Sequence, residues 1–170
     1  MTEADRLYRE HAASLVRYLE RQLGDRDLAE DVAQETFLRA LRHEPKLNPR
    51  SWLFTTATNL LRDVARRDTR QRQQLEQLHI EQQRLIDESY EEEPSVDDSP
   101  IHHALQSLGE RDRTALLLSE EGLSYNEIAV MLGMSMLSVG TTLTRARKRM
   151  IRHYESFMGN TAATGDRDVK

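Results

Sequence analysis

The chain has 170 residues and a formal net charge of −5, with 24 Lys and Arg against 29 Asp and Glu. It contains no cysteine, which excludes disulfide bonds, thiolate metal sites and thiol redox chemistry. No apolar run approaches the roughly 20 residues that cross a bilayer, and the amino terminus lacks the basic and then apolar order of a signal peptide. We therefore expect a cytoplasmic protein with no membrane insertion.

The excess of acidic residues lies in the middle of the chain. Residues 71–103 carry nine acidic and two basic side chains, and Asp87 to Asp98 contains seven acids, no base and Pro94. This composition is typical of an extended, mobile linker, although Gln71 to Arg84 is also compatible with a helix. We expect an all-α chain of two small helical domains, at residues 4–70 and 101–158, joined by an acidic linker at 71–100 and followed by a disordered tail at 159–170.

Two helices are predicted at the start of the chain. Apolar residues recur at three- and four-residue steps from Leu7 to Leu19, and Gly24 ends this pattern. Asp27 and Glu30 form a D-x-x-E pattern that indicates the start of a second helix. The inner face of this second helix is predicted to consist of Leu28, Val32, Ala33, Phe37, Ala40 and Leu41.

The opposite face of the second helix combines carboxylates, an amide, a leucine and an arginine. These side chains recur at steps of three and four, which places them in one strip. A face that contacts only solvent rarely includes a leucine, so we expect a docking surface for a basic or amphipathic partner. The alternative is an ordinary solvated face. The strip consists of Asp31, Gln34, Glu35, Leu38 and Arg42.

A third helix, predicted to begin after Pro45 and Pro49, carries side chains suited to single-stranded nucleic acid. Hydroxyls, an amide and arginines together supply base contacts and phosphate neutralisation. Trp52 and Phe54 are more simply explained as packing residues, whereas Asn59 is the better candidate for a base contact. The predicted contact residues are Thr55, Thr56, Asn59, Arg62, Arg66 and Arg67.

Residues 122–152 have the pattern of a helix-turn-helix. Gly122 is predicted to end the preceding helix, and Ser124 with Glu127 forms a capping box that begins the next. Gly133 makes the turn, and Ser135 caps the final helix. Val139, Leu143 and Ala146 give that helix an inner face, while arginines cluster at its end, so it is the candidate for the major groove. The alternative is a small helical bundle with a basic end.

Three segments follow one another in a specific order. They are Asp27-Leu-Ala-Glu-Asp-Val-Ala-Gln-Glu-Thr-Phe-Leu-Arg-Ala, then Trp52-Leu-Phe-Thr-Thr-Ala-Thr-Asn-Leu-Leu-Arg-Asp, then residues 123–147. Together they resemble the extracytoplasmic-function type of bacterial sigma-70 factor. The resemblance covers residues 5–72 and 104–155. Three motifs in order are specific, whereas any one alone is not.

The resemblance implies that the first domain binds core RNA polymerase and recognises and opens the minus 10 element of promoter DNA. Asp31, Gln34 and Glu35 would contact the coiled coil of the largest polymerase subunit. Asn59 would contact the flipped base of the minus 10 element, with the loop from His43 to Arg50 beside it. The second domain would recognise the minus 35 element, and an anti-sigma protein is a further expected partner. The residues expected at the minus 35 element are Ser135, Ser138, Thr141, Thr142, Arg145, Arg147, Lys148 and Arg149.

The recognition helix departs from the family pattern. Where members commonly have Gly-Thr-Val-Lys-Ser-Arg, this chain has Leu137-Ser-Val-Gly-Thr-Thr, so two expected cations are replaced by Gly140 and Thr142. The loss of these cations weakens the sequence-independent attraction to DNA, and a glycine costs a helix about 1 kcal/mol relative to alanine. Recognition of the minus 35 element would then be poorer, or would rest on Thr141, Thr142 and the downstream arginines.

No catalytic motif is recognisable. His102 and His103 are adjacent and so do not share a helix face, and neither an H-E-x-x-H motif nor a glycine-rich phosphate loop occurs. We therefore expect no enzyme activity, no metal and no cofactor. Two alternatives to a sigma factor are a self-standing helix-turn-helix regulator that does not bind polymerase, and a protein-interaction adaptor built from two helical bundles.

Overall fold

A computed structural model of the chain describes residues 3–43, 45, 48–82 and 99–164. The described part is all α-helical, as predicted, and contains seven helices. They are α1 (Glu3–Leu23), α2 (Arg26–His43), α3 (Pro49–Gln82), α4 (Pro100–Gln106), α5 (Glu110–Glu120), α6 (Tyr125–Leu132) and α7 (Met136–Thr164). Helices α1 to α3 form one bundle and α4 to α7 form a second.

The first bundle is built around the ring of Tyr18 in α1. Tyr18 is fully buried and packs edge-on against Phe54 of α3, with 5.4 Å between the ring centroids. Its hydroxyl lies 2.8 Å from the hydroxyl of Thr58, which satisfies the polar end of the ring. Burial raises the pKa of Tyr18. Phe54 is therefore a packing residue, as predicted.

Two details of α2 differ from the prediction. The helix is capped by Asp25 rather than Asp27, because the Asp25 side chain accepts a hydrogen bond from the Leu28 amide at 3.0 Å. Leu41 was predicted on the inner face but is 55% exposed. It lies in the last turn of α2, two residues before the helix ends at His43.

The local signals of the helix-turn-helix are confirmed. Ser124 and Glu127 form a reciprocal capping box at the start of α6. Gly122 and Gly133 have φ angles of 80° and 59°, which are left-handed conformations that favour glycine. Ser135 accepts a hydrogen bond from the Ser138 amide at 3.2 Å and so begins α7.

The predicted linker and the predicted tail both begin too early in the sequence. Helix α3 continues to Gln82, so the first part of the predicted linker is helical, in agreement with the helical alternative. Helix α7 continues to Thr164, so the prediction of a tail without structure from residue 159 is wrong for its first six residues. The acidic segment from Asp87 to Asp98 lies outside the described residues.

The two bundles pack against each other, which the sequence did not predict. Their buried apolar side chains form one continuous cluster. Gln22 of α1 donates a hydrogen bond to Thr114 of α5 at 3.1 Å, and Gly24 lies against the ring of His102 in α4. A Cβ atom at position 24 would lie 2.5 Å from that ring, which is too close. Glycine is therefore required here for two reasons, the close approach of His102 and the positive φ angle of the backbone.

No single helix in the described ranges is long and apolar enough to cross a membrane. Helices α6 and α7 pass that test only as a pair that bends by 92° at the helix-turn-helix.

Candidate nucleic-acid interface

The outer face of α2 presents the predicted docking strip to solvent. Asp31, Gln34, Leu38 and Arg42 are exposed. Glu35 is half-buried and accepts a hydrogen bond from Arg39, one turn later, at 2.8 Å. The strip is therefore continuous, with one of its two carboxylates already paired within the helix.

The predicted contact face of α3 is also a single strip. Asn59 is exposed, and Thr55 and Thr56 lie half-buried one turn before it. Thr55 donates its hydroxyl proton to the carbonyl of Ser51 at 2.8 Å, so it is partly engaged in its own helix. Asn59 is thus the side chain in this part of the strip that is best placed to contact a base.

The arginines of α3 differ in their surroundings. Arg66 and Arg67 are exposed, whereas Arg62 is half-buried and bonded to Glu110 of α5 at 2.8 Å. Arg62 and Arg66 also line a cleft that α5 closes on the opposite side with Arg111 and other residues. One of the three predicted phosphate contacts is therefore occupied by the second bundle in this conformation.

The segment before α3 also contacts the second bundle. The Asn48 amide donates to the carboxylate of Glu127 at 2.7 Å, and Arg50 donates to the backbone carbonyl of Glu121. The guanidinium of Arg50 also lies over the Phe54 ring, 6.0 Å from its centroid. Of the predicted loop from His43 to Arg50, residues 44, 46 and 47 lie outside the described residues.

Helix α7, the predicted recognition helix, exposes part of its predicted contact set. Ser135, Ser138 and Thr141 are exposed, and so are the basic residues at 145 and 147–149. Thr142, which was predicted to contact DNA, is only 6% exposed. It lies three residues after Val139 and next to Leu143 on the inner face, so it is a packing residue in this conformation.

A buried carboxylate that the sequence analysis missed holds two of these arginines. Asp112 of α5 accepts hydrogen bonds from Arg145 at 3.2 Å and from Arg149 at 3.1 Å. Its side chain is 8% exposed, while both arginines remain about half exposed. Asp112 therefore positions the basic end of α7. No local sequence signal identifies it, because it lies more than 30 residues from both partners.

Glu127 links the capping box to the first bundle. Burial raises its pKa, but the hydrogen bonds donated by the Ser124 backbone amide and by Asn48 outweigh burial, so the pKa of Glu127 lies below its ordinary value. The folded structure therefore favours the charged form of the Glu127 carboxylate.

Comparison with known families supports the two-part organisation. The family described as Sigma-70 region 2 matches residues 7–71. The family described as Sigma-70, region 4, matches residues 99–150. Together these two matches cover more than half of the chain and coincide with the two bundles.

Several curated proteins are similar over most of the chain. The ECF RNA polymerase sigma factor SigE of Mycolicibacterium smegmatis is 32% identical over 95% of this chain, which spans 65% of that relative's length. The ferric citrate uptake sigma factor FecI of Escherichia coli is 34% identical over an alignment that covers 82% of this chain and 84% of the length of FecI. The RNA polymerase sigma factor YlaC of Bacillus subtilis is 31% identical over an alignment that covers 83% of this chain and 86% of the length of YlaC.

One solved structure has the same fold. It is the sigma factor RpoE of Bartonella quintana in complex with the anti-sigma factor NepR, with a TM-score of 0.70 and 22% identity. The alignment covers 91% of this chain and 98% of that chain.

Proposed function

The chain belongs to the extracytoplasmic-function group of the sigma-70 family, and from that membership we propose that it binds core RNA polymerase and directs initiation at promoters with its own minus 10 and minus 35 elements. The observation that carries this proposal is the coincidence of the two family matches with the two bundles, each of which bears a separate exposed contact strip.

We assign the docking strip of α2 to core polymerase. Its exposed leucine lies beside carboxylates, which suits a basic and apolar partner surface such as the coiled coil of the largest subunit. The residues assigned to this contact are Asp31, Gln34, Glu35, Leu38 and Arg42.

We assign the strip of α3 to the minus 10 element. Asn59 contacts an unpaired base, Thr55 and Thr56 line the same face, and Arg62, Arg66 and Arg67 neutralise phosphates.

The recognition helix α7 is assigned to the major groove of the minus 35 element. Its first turns, with Ser135, Ser138 and Thr141, face the bases, and its basic end faces the phosphates. Arg145 and Arg149 act in the orientation that Asp112 imposes on them. The residues assigned to phosphates are Arg145, Arg147, Lys148 and Arg149.

Simultaneous recognition of both elements requires the bundles to separate. Positions 10 and 35 are 25 base pairs apart, which is about 85 Å of duplex at roughly 3.4 Å per base pair. In the packed conformation Arg62 of the first bundle and Glu110 of the second are within hydrogen-bond distance. The interface between the bundles is therefore open in the promoter complex.

Three further expectations follow from membership of this family. We propose regulation by an anti-sigma protein, a cytoplasmic location, and no catalytic activity of the chain itself.

The decisive experiment mixes the purified chain with core polymerase and a genomic promoter library, followed by sequencing of the transcript starts. A shared upstream motif pair at the start sites is expected. A chain that does not co-purify with core polymerase but binds duplex DNA would instead be a self-standing regulator, and one that binds neither would be an adaptor.

A further inference from the structure

We propose that Leu137 contacts the methyl group of a thymine in the major groove of the minus 35 element and so sets part of the promoter preference of this chain. The proposal rests on the proposed function, because it names a base contact within the same site.

Leu137 is unusually exposed for a leucine. It is 87% exposed, the highest value among the large apolar side chains of the described residues. It is the second residue of α7, directly after the turn, where Ser135 fixes the start of the helix through the Ser138 amide. A large apolar side chain is thereby held out from the protein at a defined position.

The position of Leu137 on the helix is the one that faces DNA. Val139, Leu143 and Ala146 are fully buried and define the inner face of α7. Leu137 lies in line with Thr141 and Lys148 on the opposite, exposed face, since these residues follow at helical steps. The amino-terminal residues of a recognition helix contact base edges, while later residues reach the phosphates.

The chemistry of the side chain selects the ligand group. A leucine has no hydrogen-bond donor or acceptor, so it cannot contact the polar base edges favourably. The C5 methyl group of thymine is the apolar feature of the major groove.

The test combines Leu137→Ala with removal of single methyl groups from the DNA. Holoenzyme is reconstituted from the full chain and core polymerase, and the minus 35 sequence is taken from the promoters that the wild-type holoenzyme uses. Each thymine of that element is replaced in turn by deoxyuridine, which removes only the methyl group. Affinity for each duplex is measured with wild type and variant.

At one position, deoxyuridine should weaken wild-type binding about threefold to fivefold, the amount expected for one buried methyl group. Leu137→Ala should cause a loss of similar size on the thymine duplex and no further loss on that deoxyuridine duplex. Val130→Ala is the matched control, because Val130 is 75% exposed but lies on α6. It should leave the response to every deoxyuridine unchanged.

Additive effects of Leu137→Ala and deoxyuridine at every position would overturn the proposal. So would a loss of affinity for core polymerase in Leu137→Ala, which would place the leucine in a protein interface. Wild-type holoenzyme that initiates at no promoter would instead overturn the proposed function itself.

Discussion

Arg17 and Glu121, which are 104 positions apart, form a two-point ion pair between the bundles. The Arg17 Nε and Nη2 atoms lie 2.9 and 2.7 Å from the two carboxylate oxygens of Glu121. The Glu121 side chain is 3% exposed, whereas the Arg17 side chain is about half exposed. The contact therefore satisfies a buried charge of the second bundle with a side chain of the first, and it is a main polar component of the packed conformation.

Removal of Arg17 should open the interface. In Arg17→Ala the Glu121 carboxylate loses its charged partner, a loss we expect to cost about 3–5 kcal/mol, the range for a buried charge left without its partner. Separation of the bundles rehydrates the carboxylate and relieves that cost. Because the chain has no cysteine, spin labels at Glu10→Cys and Glu155→Cys report the distance between the bundles, and longer and broader distances are expected.

Arg21→Ala is the control for this measurement, since Arg21 is an exposed arginine of the same helix. Equal distance distributions for wild type and Arg17→Ala would show that the ion pair does not hold the bundles together.

Charge reversal on α2 should weaken binding to core polymerase. Asp31 is exposed, so Asp31→Lys replaces an attraction to a basic partner by a repulsion without disturbing the fold. Coupling between close charges at interfaces is about 1.5–7 kcal/mol, so Asp31→Lys combined with Glu35→Lys should be outcompeted by wild type for core polymerase. Asp63→Lys makes the same charge change as Asp31→Lys alone, but outside the strip, and should compete normally. If the double variant competes as well as wild type, the strip is an ordinary solvated face.

Asn59→Ala should separate base recognition from phosphate attraction. We expect holoenzyme with this variant to lose about 1–3 kcal/mol of affinity for a single-stranded minus 10 oligonucleotide, the range for one specific side-chain contact with a base edge, with affinity for core polymerase unchanged. Replacement of Arg66 and Arg67 by alanine should weaken binding to all sequences alike and reduce its salt dependence, because phosphate contacts carry little sequence information. An unchanged base preference in Asn59→Ala would make this asparagine structural.

Gly140→Lys should tighten the binding of duplex DNA. A Cβ atom at position 140 would meet the Tyr125 ring at an ordinary contact distance of 3.5 Å, so the backbone accepts a side chain there. One added phosphate contact should steepen the salt dependence of binding by about 0.9. Gly140→Ala is the control for improved helix propensity and should leave the salt dependence unchanged.

Thr142→Arg, which would restore the second missing cation, is expected to disturb the packing of α7, because Thr142 is buried. An arginine there should lower the melting temperature. A Gly140→Lys chain that binds more tightly with an unaltered salt dependence would show that only the helix was stabilised.

The capping box should make stability depend on pH in the acid range. The pKa of Glu127 is lowered in the folded chain, so its contribution is present above its unfolded pKa, ordinarily about 4.3. That contribution is lost as the pH falls through the lower folded value. Melting temperatures of wild type and Glu127→Gln, measured from pH 6 downwards, should differ most at pH 6 and converge in acid. A constant difference would exclude a role for the charge.

Contacts within one or two helical turns were determined by the sequence alone. Ser124 with Glu127, Gly133 at the turn and the inner face of Val139, Leu143 and Ala146 all follow from residue type and spacing, because their partners lie three to seven residues away. The same reasoning identified the strips of α2 and α3, since helical periodicity places their members on one side. The family resemblance rested on these local segments and was confirmed for that reason.

Tertiary structure alone decided the contacts between distant elements. The hydrogen bond that Arg145 donates to Asp112, 33 residues away, and the ion pair of Arg17 with Glu121 cannot be predicted from the sequence. A charged side chain is satisfied equally well by water until another element covers it. Thr142 lies at the margin of a helical face, where periodicity does not distinguish a buried position from an exposed one. The packing of the two bundles is likewise a relation between surfaces, and residue spacing within either bundle contains no information about it.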